Sequence, residues 1–217
     1  MRISQHVTCA IDDGRAGKPD AALLHACVAV DATAKRLYPS EASSRRRFIK
    51  CVRHYYWLVE PMVGAGINLV ETRFTNISLA KTRSPDFAEI VYEVLRCSHA
   101  HGEEVPVAFS VVPSQGDFLS SWEMSQGELH IPDRIVWALL GIAVFSKVNH
   151  REKSTGSYYL SLGAEKFPLT QWWGGEDRLQ PIAGRHNKTR VILNGLDGMR
   201  RDGAGEAGLI IRNPPFI

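Results

Sequence analysis

The sequence predicts a mainly α protein with a bundle-like core of four helices and a small C-terminal β-hairpin. In four separate stretches, apolar residues recur at intervals of three and four, the period of an amphipathic helix. Proline, glycine or a capping residue bounds these stretches. Two short apolar segments flank Gly163-Ala-Glu-Lys166, which is typical of a β-hairpin over about 157–173.

The first two helices are predicted within residues 20–62. Pro19-Asp20 begins an apolar stripe of helical period made of Leu23, Cys27, Val30, Ala34 and Leu37. After Pro39-Ser40, a second stripe runs from Phe48 to Met62, and Pro61 and the glycines at 64–66 end it. We therefore expect one long second helix.

The third and fourth helices each begin at a proline next to a capping residue. In Ser84-Pro85-Asp86, the serine is the expected N-cap, the proline belongs to the first turn, and the helix that follows carries Arg96. Pro132-Asp133 begins a helix that continues to about Asn149 and is apolar on two faces. Such a helix belongs in a core or at an interface.

Length and composition indicate one globular domain. The chain has 217 residues, of which 44% are hydrophobic and 23% charged. We expect an N-terminal arm over 1–19, a single domain over 20–182 and a loosely ordered tail over 183–217. No apolar run reaches the roughly 18 residues of a membrane span, and the first residues lack a signal-peptide core, so we expect a cytoplasmic protein.

The cysteines and the missing motifs narrow the possible functions. The four cysteines form no CxxC pair, so reduced thiols are expected and disulfides are not. The sequence contains no GxxxxGK[ST], HExxH or GxSxG motif, which argues against an NTPase, a zincin protease and a GxSxG hydrolase. No cofactor is predicted.

Positive charge is concentrated on the predicted second helix and the turn before it. The chain carries +3 overall, yet residues 35–53 alone carry +6, so the remainder sums to −3. Arg46, Lys50 and Arg53 recur at helical spacing on the face opposite the apolar stripe. A row of cations can follow a phosphate backbone, so these three residues are the candidate RNA-binding residues. The alternative is an ordinary solvated helix face.

Arg96 and His101 are the candidate catalytic residues. An arginine is a permanent cation suited to phosphate, and a histidine can gain or lose a proton near neutral pH. Gly102 can end the helix and fold His101 back toward Arg96, which would supply what metal-free RNA cleavage requires. The alternative is that both residues merely complement the dipole at a helix end.

Two other interpretations remain open from the residues alone. A structural zinc site could combine Cys51 and His54 with Cys97, His99 and His101, although no knuckle spacing supports it, and no metal is predicted. The pair Trp172-Trp173 could stack nucleic-acid bases, or it could form a hydrophobic lid beside the hairpin.

The segment Val91-Tyr-Glu-Val-Leu-Arg96-Cys-Ser-His-Ala-His101-Gly102 resembles the Arg-to-His motif of HEPN domains, the higher-eukaryote and prokaryote nucleotide-binding superfamily. The segments Ala26-Cys-Val-Ala-Val-Asp31 and Trp172-Trp173-Gly174 resemble bacterial HEPN-like proteins with the same order of elements. The resemblance covers about residues 20–180.

The resemblance implies a helical bundle that dimerises and cleaves RNA without a metal, in a toxin–antitoxin or phage-defence setting. Arg96 would then stabilise the scissile phosphate, and His101 would act as general acid or base, leaving a 2′,3′-cyclic phosphate. His99 could assist or replace His101. Cys97 departs from the polar residue found in many active members.

The partners that the resemblance implies are RNA, a second copy of the chain and an antitoxin. The alternative function is a non-catalytic HEPN-like module that binds nucleic acid, nucleotide or protein.

Overall fold

The computed structural model of the chain describes residues 2–63, 67–75, 77–79, 81–96, 109–112, 121–125, 128–186, 192 and 209–212. The helices are α1 (Ile3–Arg15), α2 (Pro19–Leu37), α3 (Ser44–His54), α4 (Tyr56–Val63), α5 (Phe87–Ile90), α6 (Ile135–Phe145), α7 (Leu169–Trp172) and α8 (Glu176–His186). A π-helix (Val91–Arg96) continues α5, and a 3₁₀ turn (Lys147–Asn149) follows α6. The mainly helical fold is confirmed.

Helix α2 lies at the centre of the helical core. It packs against α1, α3, α6 and the π-helix, and α6 packs in turn against α4. Alanines at 26, 29 and 34 of α2 are fully buried, and their small side chains let neighbouring helices approach closely. The segment 1–19 contains α1, whose Val7 and Ala10 are buried in this same core.

Helix α6 is buried within the monomer. Ten of its eleven residues are buried, with Trp137 the exception, because α2 and α4 cover its two apolar faces. Its two-sided apolarity therefore reflects a central place in the core. The helix exposes no apolar face that a second copy of the chain could cover.

The predicted second helix is two helices. Helix α3 ends at His54 and α4 begins at Tyr56. Tyr55 at the junction is fully buried, and its phenol oxygen lies 2.8 Å from both Ser146 Oγ and Glu176 Oε2. Residues far from Tyr55 in the sequence thus hold it in place, so the local apolar pattern could not predict the break between the two helices.

The third helix begins two residues later than predicted. Asp86, and not Ser84, is the N-cap: its carboxylate accepts from the Glu89 backbone N–H at 3.0 Å, and Glu89 accepts from the Asp86 N–H at 3.1 Å. This reciprocal pair is a capping box. Pro85 lies just before the helix, where its carbonyl accepts from the Phe74 N–H at 3.0 Å.

The predicted hairpin is confirmed as β4 (Tyr159–Leu162) paired antiparallel with β5 (Glu165–Pro168). Leu162 pairs with Glu165, so the connection has two residues, Gly163 and Ala164, where four were predicted. Gly163 has φ +59°, a left-handed conformation that tight hairpin turns need.

A second sheet has four strands in the order β1 (Phe109–Val112), β3 (Glu128–Pro132), β2 (Ser121–Ser125) and β6 (Leu209–Arg212). β1 runs parallel to β3, whereas β2 runs antiparallel to both of its neighbours. The sheet also draws in β6, from the segment expected to be a loosely ordered tail.

Candidate functional site

Arg96 is the last residue of the π-helix and lies against α2. Its Nη2 atom is 3.6 Å from Asp31 Oδ2, and its guanidinium carbon lies 5.4 Å from the centre of the Tyr92 ring. About a fifth of the side chain is exposed. π-Helical turns are rare and are frequent at functional sites. The structure thus places Arg96 partly buried beside a carboxylate that the sequence interpretation gave no role.

The helix that carries Arg96 is anchored at its start. Besides the capping box, the Ala88 N–H donates to the Tyr56 hydroxyl at 2.9 Å, and both Phe87 and Ala88 are fully buried. Burial raises the pKa of Tyr56 well above its ordinary value, so its hydroxyl stays neutral. These contacts fix the direction in which the π-helix leaves α5.

Arg46, Lys50 and Arg53 are all exposed on one side of α3, which we call the cationic face. Phe48 and Cys51, on the opposite side, are fully buried. The Ser43 hydroxyl caps the helix by accepting from the Arg46 N–H at 3.3 Å. The structure therefore places the three candidate RNA-binding residues together, as the helical spacing predicts.

Two of these three cations have protein partners. Arg53 Nε lies 2.6 Å from Asp86 Oδ2, and Arg53 Nη2 lies 3.4 Å from Glu89 Oε1. Burial works to lower the pKa of Arg53, but the contacts with Asp86 outweigh it and raise the pKa. The Lys50 Nζ lies 4.3 Å from the centre of the Tyr38 ring.

Helix α3 runs antiparallel to α5 and the π-helix. Near its start, Arg45 Nε lies 2.5 Å from Glu93 Oε1, and near its end Arg53 contacts Asp86. Arg96 follows Glu93 by three residues, so the π-helix ends on the side where α3 begins. The cationic face and Arg96 therefore lie on two elements that pack against each other.

The other candidate catalytic residues, His99 and His101, lie outside the described residues, as does Cys97. Chain connectivity still bounds the distance from Arg96 to His101. Five residues span at most about 18 Å between Cα atoms when fully extended.

A family model described as Rv1289 matches residues 2–197. The chain belongs to the Rv1289 family. Two curated relatives are the "Uncharacterized protein Rv1289" of Mycobacterium tuberculosis (strain ATCC 25618 / H37Rv) and the "Uncharacterized protein Mb1320" of Mycobacterium bovis (strain ATCC BAA-935 / AF2122/97). Each is 32% identical over 181 residues, which is 82% of this chain and 84% of the relative. No solved structure matches the chain.

The match to the Rv1289 family includes the cationic face, the π-helix and the segment from Arg96 to His101. The resemblance to HEPN domains stays a prediction. No helix among the described residues of this Rv1289-family chain is both long and apolar enough to cross a membrane.

The zinc interpretation loses Cys51, which belongs to the core of this Rv1289-family protein. The residue is fully buried, and burial, followed by the nearby Asp31 carboxylate, raises the pKa of its thiol far above the ordinary value. A cysteine binds zinc as the thiolate. In the described part of the chain, no three His, Cys, Asp or Glu side chains converge as a metal site.

The tryptophan pair packs as a lid over the core. The Trp172 ring meets the Phe167 ring edge to face, with 4.8 Å between centroids, and the Phe145 ring at 5.9 Å. Trp173 donates its indole N–H to Ser154 Oγ at 3.0 Å. Both rings are half-buried, so neither ring is exposed enough to stack on a nucleic-acid base.

Proposed function

We propose that this Rv1289-family protein binds RNA on the cationic face and Arg96 together, and cleaves the bound strand without a metal, as a toxin or phage-defence endoribonuclease. The antiparallel packing of α3 on the π-helix supports the proposal, because Arg96 and the exposed cations belong to two elements in contact with each other. Phosphate contacts supply most of the affinity in sequence-independent binding.

The cationic face suits a flexible, charged strand. Arg46 and Lys50 are four residues apart, which is about 6 Å along the helix axis, so both can contact one backbone. Arg53 faces Asp86 and Glu89, which offset its charge, so Arg46 and Lys50 are expected to contribute more to phosphate binding.

In the proposed cleavage, the 2′-oxygen of one nucleotide attacks the adjacent phosphorus while its proton passes to a base. The bond from phosphorus to the 5′-oxygen breaks, that oxygen takes a proton from an acid, and a 2′,3′-cyclic phosphate remains. His101 serves as the base or the acid, and His99 is the second imidazole available. Arg96 stabilises the negative charge that develops on the phosphate oxygens.

Asp31 holds the Arg96 side chain in this scheme. A guanidinium has five N–H donors and can contact a phosphate while it keeps an ion pair with a carboxylate. Neutralising Asp31 is therefore expected to loosen Arg96 without removing its charge.

The carboxylates of Asp31 and Asp86 favour a second candidate function, that of a non-catalytic binding module. Asp31 next to Arg96, and Asp86 next to Arg53, reduce the positive potential at two of the four cations. In that case the protein binds RNA, nucleotide or a protein partner and leaves the phosphodiester intact.

The partners in the proposal are RNA, an antitoxin and a second copy of the chain. Since α6 is buried in the monomer, the homodimer rests on the resemblance to HEPN domains. Light scattering at tens of micromolar tests it, and a monomeric mass would contradict it.

The binding step is tested with the double variant Arg46→Gln/Lys50→Gln. This variant leaves Arg53 in place, because removing Arg53 would strand the buried Asp86 carboxylate. Each lost phosphate contact should lower the slope of log affinity against log salt by about 0.7 for single-stranded RNA, so two contacts lower it by about 1.4.

The charge-matched control is Arg151→Gln/Lys153→Gln, which removes two exposed cations in the loop after the 3₁₀ turn. It should leave the slope unchanged. If both double variants lower affinity and slope equally, RNA binds to charge in general and the cationic face is an ordinary solvated surface.

A further inference from the structure

Two histidines face each other between α1 and α2, away from the proposed RNA site. The Nδ1 atoms of His6 and His25 are 3.0 Å apart, and their ring centroids are 5.2 Å apart. Both side chains are half-buried. On its other side, His25 Nε2 lies 3.8 Å from Asp13 Oδ2.

At this distance, a single proton or a single cation can lie between the two nitrogens. With the ring centroids 5.2 Å apart, the rings point nearly end to end, so one Nδ1–H donates to the lone pair of the other ring, and a cation bound by both nitrogens would take the place of that proton after a small turn of the rings.

We propose that His6 and His25 bind a divalent transition-metal ion, Ni²⁺ or Cu²⁺, through their Nδ1 atoms. Imidazole nitrogens ligate such ions at about 2.0–2.1 Å, as they do zinc, so nitrogens 3.0 Å apart subtend roughly 94° at the metal. That angle suits the square-planar or octahedral geometry of Cu²⁺ and Ni²⁺. Tetrahedral zinc would need the nitrogens roughly 3.3 Å apart.

Asp13 completes the arrangement as an outer partner. Metal-bound imidazoles usually donate their second N–H to a carboxylate, which fixes the tautomer and strengthens the ligand. When His25 Nδ1 binds the metal, the hydrogen of the ring is on Nε2, and Nε2 is the atom that faces Asp13. Since no third protein ligand converges among the described residues, water fills the remaining positions.

The site is separate from the proposed cleavage site. His25 and Asp31 are six residues apart on α2, which turns the side chain by about 240° around the helix and places the two on different faces. The proposal therefore stands or falls independently of RNA cleavage.

Isothermal titration of the chelator-treated full chain with Ni²⁺ at pH 7.5 tests the proposal. The wild type should bind one Ni²⁺ per chain, and His6→Gln and His25→Gln should each abolish this site. Asp13→Asn should weaken binding about tenfold or more. The matched control is His150→Gln, since His150 is exposed and its Nδ1 faces the Lys147 carbonyl, at 2.9 Å; this variant should bind Ni²⁺ as the wild type does.

Binding that survives either His6→Gln or His25→Gln would overturn the two-imidazole site, and so would a wild type that takes up neither Ni²⁺ nor, in the same titration, Cu²⁺. Imidazole proton spectra of the wild type keep the proposal testable if a variant fails to fold. Substoichiometric Ni²⁺ should broaden the signals of His6 and His25 before those of the other histidines, and uniform broadening would count as refutation.

Discussion

Replacing Tyr55 with phenylalanine should destabilise the protein, because the Tyr55 hydroxyl joins α3 and α4 to α8 within the core. Burial raises the pKa of Tyr55, so the phenol keeps its single proton and donates it to the Glu176 carboxylate at 2.8 Å. The Ser146 hydroxyl can then donate to the phenol oxygen. Glu176 is only 6% exposed, and its Oε2 otherwise accepts from the Lys147 N–H at 3.3 Å.

The variant leaves a buried carboxylate oxygen with one weak donor. A hydrogen bond to a charged group contributes about 1.5–3 kcal/mol, and this is the expected loss in the free energy of unfolding. For a domain of this size, each kcal/mol corresponds to about 2–4 °C, so the melting temperature should fall by about 3–12 °C.

Thermal unfolding followed by circular dichroism measures this loss. The matched control is Tyr158→Phe, which removes a surface hydroxyl that donates to Asp12 Oδ2 at 2.9 Å. Its effect should be much smaller, because water can replace the lost partner. If the two variants melt at the same temperature, the polar cluster around Tyr55 does not stabilise the core.

Three further predictions concern stability and reactivity. Gly174→Ala should be strongly destabilising in urea titrations, since φ is +72° and an added Cβ would lie 2.6 Å from the His150 Cβ. Gly184→Ala should be neutral or stabilising in the same titrations, because no atom of the described residues would lie within 4 Å of its added Cβ. Burial works to raise the pKa of Glu152, but hydrogen bonds, chiefly from Arg36, outweigh burial and lower this pKa. The stability that Glu152 contributes is therefore present above the ordinary pKa of 4.5 and is lost as the pH falls below it. Glu152→Gln should make the melting temperature fall less between pH 6 and pH 3. Cys51 should react with a thiol reagent only at the rate of unfolding, because it is buried and its pKa is raised, and fast labelling of the native protein would contradict its place in the core.

Sequence patterns predict the start or end of a helix well when residues close to that boundary in the sequence determine it. The stripe from Leu23 to Leu37 predicts α2 to within a residue at its start and its end. The spacing of Asp86 and Glu89 is the signature of a capping box and could have located the start of α5 correctly. By contrast, the break at Tyr55 depends on Ser146 and Glu176, which lie 91 and 121 residues away.

The four-stranded sheet and the surroundings of Arg96 depend on the same kind of long-range contact. β1 pairs with β3 and β2 with β6, and short strands carry little periodicity of their own. The helical spacing of Arg46 and Lys50 was enough to place them on one exposed face. The Asp31 carboxylate, 65 residues before Arg96, shares no local pattern with it and emerges only from the packing of α2 on the π-helix.

The cleavage rate of a single-stranded RNA in the presence of a chelator tests whether the protein is a metal-independent endoribonuclease. The wild type should cut this RNA to 2′,3′-cyclic phosphate ends, and His101→Ala should lower the rate by about 10²–10⁴-fold with helix content unchanged. Arg96→Ala should lower the rate similarly by removing the stabilising charge. The control His99→Ala should have a smaller effect. A wild type that binds RNA but cuts none would contradict cleavage, and loss of activity in His99→Ala with His101→Ala fully active would contradict the assignment of His101.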